Sequence, residues 1–159
     1  MIIGSIKENI ILERRVSITP ETAKKIISLG LNINLEKSYA IHLGIEDKQY
    51  EAAGVNFYNS SKEVINNSNL ILKVNCPTDE EIKNLKEKTI LVGIFNPSNN
   101  QEKLKEVLKK SISIFSLELL PRISRAQSMD VLSSQSNLAG YRAVIESIYE
   151  FEKAVPMMM

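Results

Sequence analysis

The chain has 159 residues, 43% of them hydrophobic and 25% charged, with a formal net charge of +1, a single cysteine and a single histidine. That is the size of one domain with enough apolar residues to bury a core, and its charge gives no argument for nucleic acid or an anionic membrane surface as a partner. The lone Cys76 excludes an internal disulfide, one cysteine and one histidine cannot build a metal site, and no apolar run approaches the roughly 18 residues of a membrane span.

In chain order, short apolar runs alternate with amphipathic ones. Ile2-Ile3-Gly4-Ser5-Ile6 reads as a first strand. Thr19-Pro20-Glu21 then places a capping hydroxyl before a proline at the first helical position, predicting a helix to Leu29 closed by Gly30. Leu31 to Leu35 is a second strand and Leu70 to Val74 a third. Thr78-Asp79-Glu80-Glu81 is a capping box that opens a helix ending near Lys86, and its carboxylates need no role beyond favouring the helix dipole. Ile90 to Phe95 is a fourth strand. Ser98 caps a helix to Lys110 with Leu104, Val107 and Leu108 on one face, and Ile112 to Leu117 is a fifth strand. The repeated strand, helix, strand order predicts a mostly parallel sheet flanked by helices, a Rossmann-like α/β sandwich in three layers. His42 is expected in a surface loop, and Cys76 as a small apolar filler.

Residues 122 to 141 break the pattern. Arg122, Arg125, Gln127 and Asp130 place two cations, a neutral amide and a carboxylate within nine positions. Such a set can form a solvated connection with an internal salt bridge or a hydrogen-bonded loop against a polar ligand. From Val131 to about Val155, Leu138, Tyr141, Val144, Ile145, Ile148, Phe151 and Val155 recur at three-and-four spacing, predicting a helix roughly 35 Å long. Its first half is small: Ser133, Ser134, Ser136, Asn137, Ala139 and Gly140. Gly140 costs about 1 kcal/mol relative to alanine, which suggests a close packing partner. The boundary is placed after residue 125, leaving 126–159 as loop and connecting helix.

The run from Arg122 to Asp130, with Glu13-Arg14-Arg15-Val16-Ser17-Ile18-Thr19-Pro20, Lys73-Val74-Asn75-Cys76-Pro77 and Ala139-Gly140-Tyr141-Arg142-Ala143-Val144, resembles the nicotinamide nucleotide transhydrogenase family, in the region that binds NAD(H). The resemblance covers the whole chain. It implies that Arg122, Gln127 and Asp130 approach the nicotinamide ring, with Arg125 a loop or partner contact. It further implies NADP(H) on a separate partner domain, a membrane component that couples hydride transfer to proton movement, a homodimer in the intact component, and a cytoplasmic location peripheral to the membrane. A dinucleotide-binding turn needs clustered glycines, whereas Gly4, Gly30, Gly44, Gly54, Gly93 and Gly140 stand alone. By the family's pattern that turn lies past Met159, so the NAD-binding domain is expected to be absent and the isolated chain inactive.

Alanine dehydrogenase is similar over the same region. That resemblance implies that Arg15 and Lys73 hold the carboxylate and carbonyl of pyruvate, roles a guanidinium fork and an ammonium can fill. Those enzymes also carry a histidine near the end of the fourth strand, where this chain has Phe95 and Asn96. Oxidation of an amino acid moves a proton as well as a hydride and needs a titratable group near neutral pH, whereas exchange between two nicotinamides does not. In the transhydrogenase reading Arg15 and Lys73 simply brace the sheet edge. A non-catalytic interaction module is the third reading.

Overall fold

The computed structural model describes residues 1–154. Its elements run β1 (Ile2–Ser5), α1 (Pro20–Ser28), β2 (Asn32–Glu36), α2 (Asp47–Glu51), β3 (Asn56–Tyr58), α3 (Ser61–Asn66), β4 (Leu70–Leu72), α4 (Asp79–Asn84), β5 (Ile90–Gly93), α5 (Gln101–Lys109), β6 (Ser113–Ser116) and α6 (Val131–Glu150). The six strands form one sheet in the order β3-β2-β1-β4-β5-β6, with every neighbouring pair parallel. The fold is therefore the expected α/β sandwich, with a sheet that is parallel throughout.

A parallel strand buried on both faces must be apolar on both, and β4 is: Leu70 and Leu72 pack toward one core cluster and Ile71 toward the other. One cluster gathers Ile33, Leu35, Tyr39 and Tyr50 with Ala23 of α1. The other gathers Val64 and Ile65 of α3, Ile82 of α4, and Leu104 and Val107 of α5 around Ile71 and Leu91. Gly93 marks where two strands come closest, because a Cβ there would overlap the Lys73 carbonyl oxygen and the Phe95 ring.

The caps form largely as their residue types dictate. Thr19 accepts from the Thr22 amide at 3.2 Å, and the chain leaves α1 through Gly30 at φ +80°. Thr78 and Glu81 cap each other's backbone amides at the start of α4. Helix α5 begins at Gln101, later than the Ser98 cap predicts. Asn96 adopts φ +45° and its carbonyl accepts the amides of Asn99 and Asn100, so a turn takes up residues that would have begun the helix. Elements α2, β3 and α3 are not foreseen by the periodicity. At five, three and six residues they are too short to show a period, although Ser60 caps α3 through the Glu63 amide.

The chain divides into two compact units, Met1–Leu117 and Glu118–Met159. The second contains a 3-10 helix over Ser124–Met129 followed by α6, which ends at Glu150. Val155, placed in this helix by the spacing, lies outside the described residues. Leu138, Tyr141, Val144, Ile145 and Ile148 are all exposed, and among the described residues nothing stands within 4 Å of a Cβ built on Gly140. The close approach suggested by the small residues is not made within this chain.

Candidate functional site

In the first unit, β1 and β4 are neighbours from which the chain runs outward in opposite directions, β2 and β3 to one side, β5 and β6 to the other. Outside the carboxyl ends of such a pair lies the crevice where open α/β sheets usually hold ligands. Here it is filled from within. Lys73, just past β4, reaches both carboxylate oxygens of Glu81 at 2.9 Å and lies 3.5 Å from Glu8, which follows β1. The side chains of Lys73, Glu81 and Glu8 are 3%, 15% and 7% exposed. Glu8 also accepts the Val74 amide at 2.7 Å, and Glu81 the Thr78 amide at 2.8 Å. Burial pushes the Glu8 carboxyl up, against the opposing pull of Lys73 and the backbone amides.

Arg15 is likewise committed. Its Nε and Nη2 donate to the two oxygens of Glu13 at 2.8 and 2.6 Å, and this fork holds the Glu13 carboxyl below its usual range. The two cations that could have held an oxo acid thus each brace a carboxylate. Beside Lys73 a cavity of about 160 Å³ is lined mostly by apolar groups, among them Leu72, Val74, Val92 and Ile94. With no glycine between Ile6 and Arg15, and the Glu8 carboxylate where an anion would approach, this edge does not fit the pyrophosphate of a dinucleotide.

Phe95, at the end of β5, is fully buried, and no titratable side chain takes the histidine's place there. His42 sits in a 3-10 turn, half-buried, with Nε2 2.8 Å from the Arg14 carbonyl oxygen. It fastens the β1–α1 loop and is not the free surface residue that the sequence suggests. Cys76 packs against the core, and burial pushes its thiol pKa up, as for an inert filler.

The second unit holds the other polar cluster. Asp130 is the N-cap of α6, accepting the amides of Leu132 and Ser133 at 3.0 Å each and the Ser133 hydroxyl at 2.6 Å. These bonds, the Ser133 hydroxyl first, hold its carboxyl below the usual range. Just upstream, the 3-10 helix buries Ala126 and turns Gln127 outward. Arg122, Gln127, Asp130 and Ser133 thereby line one open hollow of about 260 Å³. Arg125 is exposed and outside that lining. Arg122 has less influence on the Asp130 carboxyl than any of these bonds, and no ion pair joins the two within 4.0 Å among the described residues. The expected internal salt bridge is replaced by a helix cap.

Residues 4–139 match the family model described as alanine dehydrogenase/PNT, N-terminal domain. The chain belongs to this family. Within the alanine dehydrogenase/PNT family, it is 42% identical over its whole length to a split NAD(P) transhydrogenase alpha subunit of Rickettsia prowazekii, covering 43% of the piece it matches. The crystal structure of transhydrogenase from Sinorhizobium meliloti superposes on all of the chain with a TM-score of 0.91 at 39% identity, the match taking in 47% of that chain. Alanine dehydrogenase of Methanococcus maripaludis is a more distant relative, 30% identical over 91% of this chain and 38% of its own length. The chain thus spans less than half the length of the relatives it matches.

Proposed function

We propose that the chain is the N-terminal portion of the NAD(H)-binding component of a proton-translocating NAD(P) transhydrogenase, and that the hollow from Arg122 to Ser133 receives the nicotinamide end of NAD(H). The observation that carries this reading is the convergence of Arg122, Gln127 and Asp130 on one open hollow. Its size and its mix of amide, guanidinium and hydroxyl fit a flat amide-bearing ring. The first unit's sheet edge, crowded by Glu8, does not fit the pyrophosphate end.

A bound nicotinamide supplies the hydride chemistry, and the protein groups position it and exclude water. Gln127 offers a neutral amide that tolerates both the charged and the uncharged ring. Arg122 presents fixed donors at the rim. Asp130 is committed to the first turn of α6, so its contribution is to fix where that turn begins and hence where Gln127 points. Arg125, outside the hollow, is assigned to the loop or to a partner. In this reading the glycine-rich NAD-binding domain and the NADP(H)-binding and membrane components are supplied by other polypeptide, the intact component is a homodimer, and this chain lies on the cytoplasmic side, held to the membrane through those partners. By itself it is inactive. Against amino acid oxidation stand the occupied Lys73 and the absence of a titratable group beside Phe95.

The test is hydride transfer from NADH to an NADP+ analogue in a complex reconstituted with the remaining components. Gln127→Ala is expected to lower the rate roughly 100-fold, the cost of a misplaced reacting group, while the complex still assembles. Unchanged transfer, or NADH turnover by the chain alone, would sink the proposal.

A further inference from the structure

The loop that leaves β1 carries at its apex three consecutive aliphatic residues that no core cluster uses. Ile10, Ile11 and Leu12 are 45%, 92% and 78% exposed. They are presented on a built turn: Asn9 accepts the Ile11 amide with its side chain, and the Leu12 and Glu13 amides with its carbonyl. Such a turn holds the side chains outward before any partner arrives. The His42 bond to the Arg14 carbonyl brings a second loop alongside, and that loop exposes Ile41 and Leu43 on either side of the histidine. Two neighbouring loops at the carboxyl edge of β1 and β2 thus present five exposed aliphatic side chains.

The charges of the β1 loop are sorted by the fold. Glu8 and Glu13 are turned onto Lys73 and Arg15, and Lys7 is matched by Glu36 at 3.3 Å. What remains is the guanidinium of Arg14, which makes no ion pair among the described residues. Lys37, beside Glu36, is also without one, although the Asp47 carboxylate lies near it on the Ser38 amide. The net charge of +1 hides this arrangement, in which the acids point in and the leftover cation lies beside the aliphatic apex. A protruding apex has no cleft for a small ligand and needs a soft apolar medium with negative charge at its surface.

We infer that the Ile10-Ile11-Leu12 apex, with Arg14 beside it, docks this chain on an anionic lipid bilayer surface. The aliphatic side chains enter the boundary between headgroups and acyl chains, and Arg14 meets lipid phosphate. The inference does not rest on the nicotinamide hollow, which lies in the other unit.

The test is flotation of the full chain with phosphatidylcholine vesicles, with and without phosphatidylglycerol. The expected result is binding that is stronger to the phosphatidylglycerol vesicles, falls at least tenfold in the Ile11→Asp/Leu12→Asp double variant, and loses about fivefold of its anionic preference in Arg14→Gln, the effect of one basic residue near the surface. Both sites are exposed, so far-UV circular dichroism should be unchanged. Equal flotation of the double variant and the parent would overturn the inference, as would no flotation of the parent. Binding abolished by Ile145→Ser/Ile148→Ser in α6 but not at the apex would overturn it too, as would an apex that only mediates self-association in sedimentation without vesicles.

Discussion

Lys73 shows how a residue type can be read correctly as special and wrongly as available. A lysine just after a strand, at the carboxyl edge of a parallel sheet, is a reasonable ligand for an oxo acid. Burial at 3% side-chain exposure leaves it only one way to remain charged, which is to keep Glu81 and Glu8 within reach. Lys73→Met strands two carboxylates in the crevice and is expected to cost about 3 kcal/mol, the usual penalty for breaking a buried pair, read from urea unfolding. The neighbouring carboxylates titrate in opposite senses. Glu13 has a lowered pKa, so its contribution is present above the ordinary value of 4.5 and is lost as pH falls through its folded pKa. Glu8 has a raised pKa, so the folded state favours its protonated form, and its contribution is present below 4.5 and is lost as pH rises through its folded pKa. Unfolding followed from about pH 3 to 7 should therefore show Glu13→Gln with less loss of stability at the acid end than the parent, and Glu8→Gln with less loss on going upward from about 4.5. Two variants with the same pH slope as the parent would refute the assignment.

At the scale of elements, the helix starts were the most legible features, because a cap is a local match between one side chain and one or two amides. Thr19 with Pro20 and Thr78 with Glu81 open their helices where their order in the chain says they should. Thr78→Ala is expected to cost about 1 kcal/mol, again by urea unfolding, with the loss confined to α4 in amide exchange. Ser98 failed as a cap because Asn96, just past β5, turned the chain first. Asp130 succeeded in a role the sequence did not assign it. Read as one half of a salt bridge with Arg122, it instead starts α6, since two amides and a hydroxyl within 3.0 Å outweigh a distant guanidinium. Asp130→Ala should accordingly fray the first turn of α6, visible as faster exchange at Leu132 and Ser133, whereas Arg122→Ala should leave those amides protected. Gly93→Ala, forced against the Lys73 carbonyl, should separate β5 from β4 and prevent a cooperative unfolding transition.

For the whole molecule, the exposed apolar side of α6 is the feature that a self-sufficient fold would not keep. Leu138, Tyr141, Val144, Ile145, Ile148 and Tyr149 are each at least 43% exposed. Contiguous apolar surface of this kind drives association in water. Sedimentation over a range of concentrations is expected to show reversible self-association that Ile145→Ser/Ile148→Ser removes, and a clean monomer at the highest concentration would contradict it. The same face is where the small residues around Gly140 suggested a neighbour, and the neighbour is not found among the described residues.

The linear order of strands, the caps and the polar run at 122–130 were legible because each is written in residues adjacent in the chain. Hydrophobic period, capping hydroxyl and loop composition are local properties, and they fixed a parallel α/β sandwich and the stretch from which Arg122, Gln127 and Asp130 reach one hollow. Which strands lie side by side, and therefore that Glu8 and Glu81 meet Lys73, depends on contacts such as that of Ser5 with Leu72, 67 positions apart, in a six-stranded order that periodicity does not encode. The short α2, β3 and α3 and the inward turn of the acids at the sheet edge were settled only by packing. A side chain's partners follow from the minimum of the whole folded chain, and burial decides whether a charge found in the sequence is free to bind or already paired.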